Sequence, residues 1–290
     1  MNWLFEPGFF SSGPVHVAVV IGGVVAIVSS TVGVFTVTRG QSFAGHSLAD
    51  VSTAGGSGAF LLGMNPLLGF VGGGVIGAGV MEMIGIRRAS RRDLATGIVL
   101  GASLGLAALF LYLGTTSSST TGASQEILFG SIFSTDSSTV PVVVIFSALC
   151  LLIIGFVARP LLLASVDSDI AAAAGVPVRV VGLLYMLALA LAVGLSALAI
   201  GAILSTALLI GPAAIALRLT KRTSRAILLA AVLGVVDTLL GVLLAYDSYD
   251  WSSSHQAWPV SFFIVVLVFF EYLLTEIPIL RLYSSEWRAG

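Results

Sequence analysis

Nine long apolar runs, each closed by a short polar stretch, fill the chain: 16–38, 41–63, 67–86, 94–113, 139–158, 179–197, 202–218, 224–245 and 258–279. Runs of about 18 or more apolar residues match the length a helix needs to cross a bilayer. The pattern predicts an all-α, polytopic membrane protein of eight to nine transmembrane helices, with 1–290 forming a single transmembrane domain. Two of the runs come from one continuous apolar stretch, 179–218, which divides near Ala199-Ile200-Gly201.

The polar stretches differ in character. On one side, the Ser/Thr run 115–124 leads into Gln125-Glu126-Ile127-Leu128-Phe129-Gly130, which predicts a short helix or turn at the membrane surface. On the other, 159–179 is the longest connection between spans and contains an Ala run, 171–174, closed by Gly175-Val176-Pro177. Strong helix formers ended by Gly and then Pro describe a surface helix of about two turns. Read from the residues alone, it is either an amphipathic connector or a docking element. Glycines recur at helical spacing in two spans, Gly69, Gly73 and Gly77 and then Gly97, Gly101 and Gly105, which predicts close helix packing at both stripes. The stretch 1–14 lacks a basic segment of signal-peptide type, and its Trp3, Phe5, Phe9 and Phe10 suit an interfacial anchor that is retained.

Composition agrees with the pattern: 57% of residues are hydrophobic and 9% are charged, and the mean hydropathy is +1.08. A net charge of −1 offers nothing to a nucleic acid. The few charges are strongly sorted. With nine spans, Arg39, Arg87, Arg88, Arg91, Arg92, Arg159, Arg179, Arg218, Lys221, Arg222, Arg225, Arg281 and Arg288 all fall on one side. The other side carries Glu6, Glu126, Asp136, Asp247 and Asp250 and no basic residue. By the positive-inside rule the N-terminus lies outside and the C-terminus in the cytoplasm. Lys221 is the chain's single lysine and follows Leu219-Thr220, so no Gly-x-x-x-x-Gly-Lys phosphate loop exists. If ATP powers this protein, another chain binds it. Lys221 also stands between spans, which argues against a retinal Schiff base. Cys150, the single cysteine, rules out an intrachain disulfide.

Charges inside hydrocarbon cost about 2.5–3.5 kcal/mol each on the insertion scale, so those present point to function. Five candidates lie in the spans: His46, Asp50, Glu82, Asp237 and Glu271. Glu82 falls near the cytoplasmic cluster headed by Arg87, and Glu271 lies midway along the last span. His46 and Asp50 share a helix face at i, i+4, with Asp50 about 14 Å from the cytoplasmic boundary. Asp237 lies about 20 Å in from its own boundary, a comparable depth. One imidazole with two carboxylates is a reasonable ligand set for a divalent transition metal, Mn, Fe or Zn. It equally suits a structural hydrogen bond or a proton path. His255, near Asp247, Asp250 and Trp251, could receive a cation at the outer mouth or be an ordinary loop residue.

Three stretches converge on a family. Thr38-Arg39-Gly40-Gln41-Ser42-Phe43-Ala44-Gly45-His46-Ser47-Leu48-Ala49-Asp50, followed by Asn65-Pro66, resembles the second-helix motif of bacterial ABC-transporter permeases for zinc, manganese and iron uptake. Leu128-Phe129-Gly130 resembles the outer-loop motif of those permeases, and the run from Ile200-Gly201 through Leu209-Ile210-Gly211-Pro212-Ala213-Ala214 resembles their most distinctive segment. One departure is clear: the family's usual Asp-x-x-x-His is reversed here to His46-x-x-x-Asp50.

The resemblance implies the permease of a metal-importing ABC system in the bacterial cytoplasmic membrane, with no permanently bound cofactor. It implies a separate ATP-binding subunit, a second permease copy or a related permease chain, and an extracytoplasmic metal-binding lipoprotein as partners. His46, Asp50 and Asp237 would line the ion path. Within 160–178, Asp167, Asp169, Ala171, Ala174, Gly175, Val176 and Pro177 would form the helix that couples to the ATPase. Gly211-Pro212 would break its helix near the pathway. A secondary transporter driven by protons through the same three ionisable residues is the rival expectation.

Overall fold

The computed structural model describes residues 9–83, 89–118, 127–130, 132–202, 205–251 and 257–276, with the side chains at 10, 82–83, 89–95 and 117–118 outside that description. Among the described residues the main α-helices are, in order, α1 (Gly13–Thr38), α2 (Ser42–Leu61), α3 (Pro66–Met83), α4 (Ala89–Ser118), α5 (Val140–Val166), α6 (Ser168–Ala173), α7 (Val178–Ile200), α8 (Ser205–Leu219), α9 (Thr223–Asp247) and α10 (Val260–Leu274). All but α6 match the predicted spans, and five are long and apolar enough to cross a membrane.

Helices α1 and α7 form the centre. Their most apolar windows are 67% and 78% buried, against 22% for α4. Around α1 pack α5, α7, α8 and α9; α2 lies between α3 and α4 and touches α7; α10 closes against α8 and α9. The outer faces present Leu68, Ile76, Ile98, Tyr112, Ile145, Leu152, Phe156, Leu228 and Phe270. This is the apolar coat a bilayer requires. At one end Trp251, Trp258, Phe262 and Phe263 stack edge-on or face-on with centroids 5.3–6.3 Å apart, an aromatic girdle of interfacial type. Phe9 joins that end by an edge contact with Tyr246 at 5.4 Å.

The division of the long apolar stretch holds. Helix α7 stops at Ile200, and Gly201 takes φ 85°. Gly130, at φ 88°, lies against it, and a Cβ on Gly201 would stand 2.4 Å from the Leu128 carbonyl oxygen. Ala202 N–H donates to the Ile127 carbonyl at 3.2 Å, and Ser261 Oγ donates to the Phe129 carbonyl at 3.1 Å. Two of the motifs singled out in the sequence thus interlock through backbone contact that only glycine permits.

Three expectations need correction. Helix α5 does not end at 158 but runs two turns further to Val166, carrying Pro160 inside it. The next span starts at Val178, so the connection is shorter than predicted. No break occurs at Gly211-Pro212: α8 is continuous from Ser205 to Leu219, and Gly211 lets Val268 of α10 approach to 2.1 Å from where a Cβ would be. Proline forfeits one intrahelical bond without interrupting a helix clamped on both sides. The glycine stripes also part company. Gly69 and Gly73 meet Gly55 backbone to backbone and Gly77 meets Val51, whereas a Cβ on Gly97, Gly101 or Gly105 meets nothing within 4 Å. Among the described residues, nothing packs on the α4 stripe.

Candidate metal centre

Helix α2 leaves a tight turn and carries the pair predicted as ion ligands. Helix α1 ends with Gly40 at φ 61°, Gly40 N–H donating to the Val37 carbonyl and Gln41 N–H to the Thr36 carbonyl at 2.9 Å. This is a Schellman stop, and α2 starts at once at Ser42. His46 and Asp50 then stand about 6 and 12 Å along it. His46 Nε2 lies 4.0 Å from Asp50 Oδ2; the His46 side chain is 43% exposed and that of Asp50 is 9% exposed. Asp50 Oδ2 is buried with no hydrogen-bond donor. A part-exposed imidazole beside a buried carboxylate oxygen with no donor pairs two ligand types that suit a divalent transition metal. Packing fixes the helix behind it: Gly45 admits Leu209 and Leu189, and Ser47 Oγ donates to the Thr96 carbonyl of α4 at 3.2 Å.

Asp237 does not join this pair. It sits fully buried on α9, and the carboxyl it interacts with is Glu271 of α10. Both Asp237 oxygens and Glu271 Oε2 lack hydrogen-bond partners. Among the described residues no three His, Cys, Asp and Glu side chains gather at one point. Depth counted along a helix axis carries no information on which way α9 turns its face. The side chain of Glu82, and His255, fall outside the described residues.

A serine-nucleophile spacing, Gly101-Ala102-Ser103-Leu104-Gly105, also occurs in the chain. It lies inside continuous α4, where Ser103 Oγ donates to the Val99 carbonyl at 2.7 Å. A nucleophile elbow needs a strand-to-helix turn, so no hydrolase chemistry attaches to it.

The short helix α6 is built as the sequence suggests. Asp167 is its N-cap, accepting from Asp169 N–H at 2.8 Å and Ile170 N–H at 3.0 Å. The bonds from Ile170 and then Asp169 hold the Asp167 carboxyl below its ordinary range. Asp169 sits in the first turn, where the helix dipole favours a negative charge. Ala171 is buried against the bundle, Ala174 caps the C-terminus, and Gly175 at φ 83° lets Val176 N–H reach the Ala171 carbonyl at 3.0 Å. Pro177 then caps α7. Val166 and Ile170, 88% and 61% exposed, project beside the helix and are left largely uncovered among the described residues.

A bundle with five helices long and apolar enough to cross a membrane, and a short helix joining two of them, is the architecture of a multi-pass membrane protein. The chain belongs to the ABC 3 transport family, whose model matches residues 14–273. It is 29% identical over 243 residues to the "Manganese transport system membrane protein MntC" of Listeria innocua serovar 6a, covering 84% of this chain and 85% of that one. It is 30% identical over 223 residues to the "Manganese import system permease protein ScaB" of Streptococcus parasanguinis, covering 77% and 78%. Its fold is similar to a chain of the structure titled "PsaBC from Streptococcus pneumoniae in complex with Fab", with a TM-score of 0.78, 27% identity and 92% of each chain covered. The resemblance drawn from the three motifs therefore holds.

Proposed function

We propose that this chain is the permease subunit of an ATP-driven importer for a divalent transition metal, with manganese as the cargo and zinc or iron as the competing ions. The observation that carries the reading is the His46–Asp50 pair at 4.0 Å, one ligand open and the other buried with an unpartnered oxygen. Mixed imidazole and carboxylate ligation suits manganese and iron, and the nitrogen tolerates zinc. The printed names of the manganese-transporting relatives support the first of these. Two ligands are fewer than a divalent ion takes, so a second copy of the permease supplies its own pair across the open face of His46.

ATP is hydrolysed by a separate cytoplasmic subunit, because no phosphate loop exists in this chain. That subunit docks on α6, contacting Val166 and Ile170. An extracytoplasmic metal-binding lipoprotein delivers the ion at the opposite end. The N-terminus lies outside and the C-terminus in the cytoplasm, as the sorting of basic residues requires.

The test is metal accumulation in cells stripped of their own importers, with the permease co-expressed with its ATPase and binding protein. His46→Ala and Asp50→Ala are each expected to abolish manganese accumulation while co-purification with the ATPase and the melting temperature stay near wild type. Normal accumulation in either well-expressed variant overturns the site.

A further inference from the structure

Arg39 occupies a position that neither the ion pair nor the docking helix explains. It is half-buried at the turn between α1 and α2, and its guanidinium reaches in three directions. Nη1 donates to Ser165 Oγ at 3.2 Å and to the Leu161 carbonyl at 3.4 Å, both in the last turns of α5. The guanidinium carbon lies 5.1 Å from the centroid of the Tyr185 ring, in the first turns of α7. Nε donates to Gln41 Oε1 at 3.4 Å, in the residue that precedes α2. The partners are themselves held. Ser165 Oγ donates back to the Leu161 carbonyl at 2.6 Å, and the buried Tyr185 donates its hydroxyl to Thr36 Oγ1 of α1 at 3.0 Å.

These contacts select a particular set of elements. Helices α5 and α7 are the two that flank α6 in the chain, and Ser165 lies two residues before the α6 cap, Asp167. Gln41 lies five residues before His46. Arg39 therefore clasps both flanks of the docking helix to the turn from which the ion-binding helix springs. The Schellman stop at Gly40 makes that turn stiff, so a shift of α5 or α7 is passed to α2 rather than absorbed. A planar guanidinium can donate two bonds and stack on a ring at once, which an ammonium cannot.

We propose that Arg39 is the positioning residue that couples movement of the docking helix to the His46–Asp50 helix. This rests on the permease reading above. Removing it uncouples ATP hydrolysis from ion movement without disturbing either machine by itself.

The experiment uses the complete complex of permease, ATPase and binding protein in proteoliposomes, with manganese(II) as the probe. Manganese taken up per ATP hydrolysed is measured for wild type, Arg39→Lys, Arg39→Gln and Ser165→Ala. Coupling between distant sites is of order five- to 150-fold, so Arg39→Gln is expected to lower the ratio by at least about fivefold with basal hydrolysis retained. Arg39→Lys is expected to fall between it and wild type, and Ser165→Ala to show a smaller loss in the same direction. Should the Arg39 variants fail to assemble, Ser165→Ala carries the test alone. An unchanged ratio, whether both rates fall together or neither falls, overturns the proposal. A wild-type complex that moves no manganese on ATP would instead sink the permease reading, so the two failures are distinguishable.

Discussion

Asp50 holds a carboxylate oxygen away from water with no hydrogen-bond donor, and the His46 imidazole stands 4.0 Å from it. A buried lone pair left unsatisfied is expensive, and in the function proposed above a transported cation is the group that would relieve it. The Asp237–Glu271 couple poses the same electrostatic difficulty without an open imidazole beside it. Glu271→Gln would give Asp237 an amide donor and remove a facing carboxyl. It is expected to stabilise the chain by about 1–2 kcal/mol, read as a higher melting temperature in detergent, with manganese accumulation unchanged. A variant that melts lower, or transports no metal, would return Asp237 to the ion path. At this scale the sequence was half legible. The i, i+4 spacing of His46 and Asp50 dictated their contact because both ride one helix. Asp237 was misjudged because its depth could be counted but the direction its helix faces could not.

Helices α2 and α3 meet where side chains vanish, so their contact depends on hydrogen atoms in place of methyl groups. A Cβ at Gly73 would stand 2.9 Å from both the Gly55 Cα and the Val51 carbonyl oxygen, whereas one at Gly101 meets nothing. Gly73→Ala is expected to lower the melting temperature and Gly101→Ala to leave it unchanged or slightly raised, since alanine is the better helix former. Thermal unfolding of the two variants side by side checks this. The docking helix supplies a second prediction. The Asp167 cap has its carboxyl held below its ordinary value of 3.8, so its contribution is present above that pH and is lost only as pH falls through the lower folded value. The cap therefore does not titrate near neutrality. Asp167→Asn, still a good cap, is expected to retain the ATPase on co-purification, and Asp167→Ala to lose part of it. Element identities were readable because apolar runs of membrane length leave few alternatives and because Gly175-Val176-Pro177 spells a helix stop. The end of α5 was not, since Arg159-Pro160 reads as an exit until packing against Arg39 and α7 carries the helix onward.

For the whole molecule, the informative surfaces are those the chain cannot cover by itself. His46 is half-open, Val166 and Ile170 project beside α6, and the glycine stripe of α4 has no neighbour within 4 Å among the described residues. In the function proposed above, a single chain thus offers part of an ion site and part of a docking site. That is the character of a subunit, and no property of the isolated sequence could have revealed which faces remain uncovered. The central claim is that the transported ion sits on His46 and Asp50. Manganese(II) bound to the purified complex can be interrogated by pulsed electron paramagnetic resonance, which detects a coordinating imidazole nitrogen through its hyperfine coupling. The wild type is expected to give that nitrogen signal and His46→Ala to lose it, with Asp50→Ala binding manganese more weakly. A nitrogen signal that persists in His46→Ala, or bound manganese with no nitrogen ligand in the wild type, would contradict it.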